Sequence, residues 1–388
     1  MFKKSILLSL GFCSLFGMES FNSFVKIALK NTPYLVTNSL EIEKTEYDAQ
    51  IQNRYKNPLL AFDKNLQDGY GVGIKQPIRL WGVAKNNAHF NSKKRAETEN
   101  LVQLKKVTFI KELSDLFIEY KKSSLEKKLS LEALKISQKI AEVSQNRFEN
   151  GTISKVEYLQ SQIDLDMAKN SVDEALYAEM KCYYRVMQFA GIEVELDISS
   201  KIKKVKGERN SFALEYLQSR VERKEVSIKI ESKTLQWIDI YAEFEEDAQQ
   251  SVTKVGVELP LSIFNNNSEE LALATLALRE EKLLYESKQK ALKLEYQSLD
   301  KESTILQNLQ QSNQKLLNSQ MQLLQIYQES YRVANVDLMK LQNIKNQMLQ
   351  TKQKAIEIAK NLLDVLDDET ISLKTDLDIQ TIKNLRVK

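Results

Sequence analysis

The chain has 388 residues, with 56 Lys and Arg against 53 Asp and Glu. Bases and acids are interleaved, which argues against a phosphate-binding or nucleic-acid-binding face. One histidine and two cysteines are too few for a dedicated zinc or iron site, and 10 Gly with 4 Pro are too few turns for a pair of ordinary globular domains.

The first stretch, MFKKSILLSLGFCSLFG, places Lys3 and Lys4 before an apolar run from Ser5 to Gly17. That is the charged-then-apolar order of a secretory signal, expected over 1–20 with cleavage between Gly17 and Ser20. Cleavage would leave Cys182 as the sole cysteine, so no disulfide within the chain is expected. No later stretch approaches the roughly 20 apolar residues of a membrane-spanning helix.

A first structural repeat is expected over 21–207. It opens with a helical segment, 22–57, interrupted near Pro33 and stopped by Asn57-Pro58. A β-hairpin follows over 59–78. In its second strand Tyr70, Val72, Ile74 and Ile78 alternate with Gly71, Gly73, Lys75 and Pro77, the period of a half-buried strand. From Val83 to Asn150 there is neither Gly nor Pro, so the long helix is placed at 83–150. Gly151 breaks it, and Ser154-x-x-Glu157 has the capping-box spacing that restarts a return helix over 154–190.

The second repeat, 208–366, replays the first: a helix over 209–235, a hairpin over 237–261, a long helix over 266–333 and a return helix over 337–366. A polar tail, 367–388, closes the chain. VGIKQPIRLWG at 72–82 and VGVELPLSIFN at 255–265 place Gly73 and Gly256, and Pro77 and Pro260, 183 residues apart. The same offset carries Gly151 onto Ala334 and Ser154 onto Asp337, a second N-cap residue. Three features aligned by one offset indicate an internal duplication. The fold class expected is mainly α with a short β portion.

Each long segment would run about 100 Å and bury an apolar stripe only against neighbouring helices. Leu309, Leu316 and Leu323 recur every seven residues, flanked by Leu306, Leu317 and Leu324, with Asn313 and Gln320 at repeat positions. A thin-walled tube and a polar-faced coiled coil would both give that pattern. The strands favour the tube. Four are too few to close a membrane barrel, but three copies would supply 12, continued by the helices as an α-helical barrel. A soluble periplasmic coiled-coil adaptor or structural protein, its hairpins packed on a partner, is the alternative.

The stretches RFENGTISKVEYLQSQIDL, YRVANVDLMKLQNIKNQ, IKQPIRLWG and VELPLSIFNNN, with ALKNTPYL near the start, resemble the TolC-like outer-membrane efflux proteins over essentially the whole mature chain. IKQPIRLWGVAKNNAH is most similar to the branch exporting cobalt, zinc and cadmium. The resemblance implies a homotrimer: a 12-stranded transmembrane β-barrel, four strands per protomer, continued by a long periplasmic α-helical barrel. It implies a passive duct in the outer membrane of a Gram-negative bacterium. A periplasmic adaptor and an inner-membrane pump of the resistance-nodulation-division type would work with it, and no cofactor is needed. Drug efflux and type I secretion would use the same architecture.

The resemblance puts the periplasmic tip and adaptor contact at the two reversal turns, with Gly151, Ser154 and Glu157 in the first and Ala334, Asp337, Lys340 and Asn343 in the second. Positions that are acidic near the second turn of well-studied members are Lys340 and Asn343 here. A Glu157–Lys340 ionic gate is the substitute expected, with solvated surface positions as its alternative. Pro77, Gly82, Pro260 and Asn265 mark the barrel-to-helix junctions. His89 reads as a surface residue, and Trp81 and Trp237 flank strands, at an aromatic belt or in packing. No nucleophile, P-loop or Cys–His arrangement occurs, so no enzyme is expected and no catalytic residue is named.

Overall fold

A computed structural model describes residues 20–64, 69–80, 82–197, 211–246, 250–261, 266–333 and 335–372. The expected signal up to residue 19, Trp81, Asn265, Ala334 and the tail from 373 onward lie outside the described residues. The elements run α1 (Phe21–Asn31), α2 (Pro33–Asn53), β1 (Leu59–Lys64), β2 (Tyr70–Arg79), α3 (Val83–Glu149) and α4 (Lys155–Ala190). The order then repeats with α5 (Phe212–Glu231), β3 (Trp237–Glu246), β4 (Ser251–Glu258), α6 (Ser268–Arg332) and α7 (Leu338–Ser372).

The opening helical segment is two helices, because Thr32 leaves helical geometry with ψ 116. Its hydroxyl and its N–H both donate to the Ala28 carbonyl, at 2.6 and 2.9 Å, and Pro33 starts α2 where no N–H is required. Each long helix is entered through a left-handed residue, Gly82 at φ 83 before α3 and Asn267 at φ 59 before α6. Glycine adopts that conformation without penalty and asparagine tolerates it.

The four strands form one antiparallel sheet in the order β1-β2-β3-β4. Each strand joins a helix, and the helices keep the same order: α2, α3, α5, α6. The sequence of contacts is α2 on α3, α3 on α5 and α5 on α6. Polar pairs stitch this layer. Lys94 meets Asp48 and Lys105 meets Glu41 between α3 and α2, while Lys93 meets Glu222 and Arg223 meets Glu97 between α3 and α5.

Past the middle of α3 its neighbours change to α4 and α7, and the order becomes α4, α3, α7, α6. The molecule is therefore four elements wide along its length, with α6 and β4 on one edge and β1, α2 and α4 on the other.

The two larger apolar clusters lie on α3. In the first, Phe21, Phe24, Val25 and Ala28 of α1 pack against Phe109, Leu113 and Phe117 of α3 and Val186, Met187 and Ala190 of α4. Phe21 stacks on Phe117 at 4.4 Å between ring centroids. The second joins Ile140 of α3, Leu317, Leu324 and Tyr331 of α6, and Leu338, Leu341, Ile344 and Met348 of α7.

Candidate functional site: the reversal turns and the two-faced sheet

Residues 148–158 and 331–341 turn the chain by the same set of backbone bonds. Asn150 N–H donates to the Asn146 carbonyl at 3.1 Å, and its counterpart Val333 donates to Glu329 at 3.2 Å. Thr152 N–H reaches back to Arg147 at 2.8 Å, and Asn335 to Ser330 at 2.9 Å. Each residue in the second set lies 183 beyond its partner in the first. These bonds satisfy carbonyls that a helix end leaves without partners. Gly151 holds φ 69, and an added Cβ there would meet open space, so its value lies in backbone conformation.

Ser154 caps α4. Its hydroxyl accepts the Glu157 N–H at 3.2 Å, and the Glu157 carboxylate accepts the Ser154 N–H at 3.2 Å. Glu157 is thereby committed to its own helix. Asp337 precedes α7 and its carbonyl accepts the Leu341 N–H at 3.4 Å. Lys340 and Asn343 are exposed on α7, and the structure forms no Glu157–Lys340 ion pair.

A different lysine links the two helical hairpins. Lys345 is 3% exposed, donates to the Ser137 hydroxyl of α3 at 3.2 Å and pairs with Asp164 of α4. Ser137 also donates to Asp164, at 3.0 Å. Nearer the turns, Arg147 lies 4.6 Å over the Tyr331 ring and donates to its carbonyl at 3.1 Å, while Ser144 and the Tyr331 hydroxyl meet at 2.8 Å. Sequence reading missed Lys345 and Asp164 because they lie on different hairpins. They meet only once the hairpins pack.

At the other end, residue parity divides the sheet. Phe62, Val72, Ile74, Ile240, Phe244, Val255 and Val257 share one face, by the register Phe62↔Val72↔Phe244 and Ile74↔Ala242↔Val255. Phe62 is 73% exposed and Val255 74%, so this apolar face has no cover among the described residues. The opposite face carries Asp63, Lys75, Asp239, Tyr241, Glu243, Glu245, Lys254 and Glu258.

At the junction, Pro77 pairs with Asp239 beyond the stretch of β2 that β1 covers, and Pro260 is exposed just past β4. Arg79 lies between the rings of Trp237 and Tyr55 and donates to the carbonyls of Gln52 and Arg54 at 2.8 and 3.2 Å. This ties the end of α2 to the sheet. His89 is exposed on α3.

Both edges of the layer also expose apolar stripes. On α6 the imperfect seam of the sequence resolves into two: Leu306, Asn313, Leu317 and Leu324 are buried, whereas Leu309, Leu316 and Leu323 face outward with Leu276, Leu283 and Ile305. Asn313 sits in the buried seam and donates to the Thr351 carbonyl at 3.1 Å. On the opposite edge Leu40, Tyr47 and Ile51 of α2 and Val156, Ile163 and Met167 of α4 are exposed.

The profile of the family described as outer membrane efflux protein matches residues 25–181. No curated protein matches the chain. Among solved structures, CusC, described in terms of transmembrane channel formation, superposes with a TM-score of 0.78 at 12% identity, covering 93% of this chain and 96% of that one. The outer-membrane channel OprN gives 0.77 at 13% identity, over 91% and 89%. The outer membrane protein VceC from Vibrio cholerae gives 0.77 at 12%, over 91% and 96%. At these identities the structural likeness is one of fold. Residues 25–181 thus match the profile of the outer membrane efflux proteins, and the chain over nearly all its length shares its fold with solved outer-membrane channels.

Proposed function

We propose that the protein is the outer-membrane exit duct of a tripartite efflux system. The observation that carries this reading is the open edge. Sheet and helices form one layer four elements wide, with unpaired β1 and β4 at its sides and apolar stripes on α2, α4 and α6 below them. An isolated layer of this kind leaves strand edges and apolar faces exposed. A neighbouring copy covers both together, its β1–α2–α4 edge meeting β4–α6 in a head-to-tail contact that closes into a ring. Three copies supply 12 strands, with the apolar sheet face toward lipid and the polar face toward the lumen. The helices then continue the wall as a periplasmic tube.

The reversal turns are the periplasmic tip and the contact for a periplasmic adaptor coupled to an inner-membrane pump of the resistance-nodulation-division type. Gly151, Ser154 and Glu157 shape the first turn, Asp337 precedes the return helix of the second, and Lys340 and Asn343 offer exposed polar groups beside it. The Lys345–Asp164–Ser137 cluster holds the hairpins together just inside the tip.

The cargo is heavy-metal cations, a reading supported by the likeness of IKQPIRLWGVAKNNAH to the metal-exporting branch. Cellular zinc and cadmium in a deletion strain, measured beside retention of an organic dye, test it. Metal retention with normal dye efflux supports the metal reading. Dye retention with unchanged metal makes the protein a drug duct. An extract in which the protein is soluble without detergent and runs as a monomer when unheated would overturn the duct altogether.

A further inference from the structure

We infer that neighbouring copies are joined just inside the tip by three glutamines, Gln320 and Gln347 of one copy with the partner's Gln162. The inference rests on the duct reading, which sets α6 of one copy beside α4 of the next.

The internal duplication supplies the register. The offset of 183 carries α3 onto α6 and α4 onto α7, and near the tip the helices lie in the order α4, α3, α7, α6. The contact of α3 with α7 inside the chain is therefore the template for the contact of α6 with the next copy's α4. Exposure agrees with this. Ile140 of α3 is 2% exposed in the tip cluster, whereas Leu323, 183 residues on, is 38% exposed. Val143 packs against the same cluster, whereas its counterpart Ile326 is 61% exposed.

The polar groups make the match specific. Within the chain Lys345 donates to Ser137 and pairs with Asp164. The same offset turns Ser137 into Gln320, Asp164 into Gln347 and Lys345 into Gln162. Both charges are absent together, so neither is left alone in a seam where an unpaired charge is costly. Glutamine is shorter than lysine and longer than serine, so the reach lost on α4 is restored on α6. Gln320 Oε1 is shielded from solvent and has no hydrogen-bond partner among the described residues. A buried amide oxygen without a donor is destabilising. The partner's Gln162 donates its amide N–H to that oxygen, and its own oxygen accepts from Gln347.

Other ion pairs change in the same way. Lys122–Glu357, Lys352–Glu132 and Lys360–Glu119 join α3 to α7. Carried across, they become Ile305 with Glu174, Lys315 with Lys169, and Glu302 with Tyr177, none of them an opposite-charge pair. The seam within each chain is ionic and the seam between copies is neutral.

The test uses the full-length protein in outer-membrane vesicles, with Cys13→Ala and Cys182→Ser removing both native thiols. Gln162→Cys with Gln320→Cys, treated with a short thiol-to-thiol cross-linker, should give covalent dimers and trimers on denaturing gels. Ser137→Cys with Lys345→Cys should give a cross-link within the monomer only. In a cysteine-free background, Gln162→Lys should lower the temperature at which trimers fall to monomers on gels. Adding Gln347→Asp, which rebuilds the pair found inside the chain, should restore it. A harmless Gln162→Lys, or a loss that Gln347→Asp does not repair, overturns the glutamine cluster and leaves the duct standing. So does cross-linking of Gln320→Cys to Lys169→Cys, two turns away, in place of Gln162→Cys. Absence of any cross-link between copies that still run as trimers unheated has the same meaning. Monomers in unheated gels of the parent protein overturn the duct reading, and this inference with it.

Discussion

The two halves of the chain share their element order and turn geometry yet are held differently. In the first half, α1 adds four aromatic and aliphatic side chains to the α3–α4 pair, and Leu113 and Phe117 are essentially sealed from solvent. At the offset of 183, Leu113 corresponds to Tyr296 and Phe117 to Asp300. No counterpart of α1 occurs there among the described residues, and the core shrinks to Leu299, Leu306 and Val365 with Leu362. The first helical pair carries its own core. The second relies on the tip cluster and leaves an outward apolar seam on α6, the surface that the proposed duct covers with another copy. The two halves share the path of the backbone, but the second buries less of its apolar surface within the chain.

The sharpest way to break this contrast is to charge the outward seam. Leu316→Glu with Leu323→Glu should abolish the trimer and leave helical content intact, read by light scattering and circular dichroism in detergent. A trimer that survives would show that the seam is not the subunit contact. Next in size, Phe117→Ala should destabilise the first helical pair by about 3–5 kcal/mol, while Asp300→Ala at the exposed matching position should cost no more than about 1 kcal/mol. Equal losses in denaturant titrations would erase the asymmetry.

Lys345→Ala leaves Asp164 facing a buried site without its cation and should cost about 3 kcal/mol, against almost nothing for exposed Lys340→Ala. If Lys340→Ala is the more damaging of the two, the link between hairpins lies at the turn instead. The smallest effect concerns Asp364. Burial pushes its carboxyl above the usual range, opposed by Lys360 and reinforced by Asp115 and Glu119. A raised folded-state value favours the fold in acid, and that contribution fades as pH rises through the carboxylate range. Asp364→Asn should therefore raise the melting temperature slightly at neutral pH and leave it unchanged in acid. A variant less stable than the parent at neutral pH would reverse the sign.

Much of this was legible in the linear order of residues. The absence of Gly and Pro over 83–150, the capping box at Ser154 and Glu157, and the alternation from Tyr70 to Ile78 each depend on neighbours a few positions away. Backbone propensity, capping and strand parity act over that range. The 183-residue offset depends on no contact at all, only on comparing the chain with itself. Other features required the third dimension. Gly82 and Asn267 share the role of left-handed entry to a long helix although their spacing departs from the offset by two. Which leucines of α6 face α7 and which face outward is a question of rotation about the helix axis, set by the packing of its neighbours. Lys345, Asp164 and Ser137 meet because two hairpins lie side by side, and residues so far apart in sequence become neighbours only through packing that no local rule encodes.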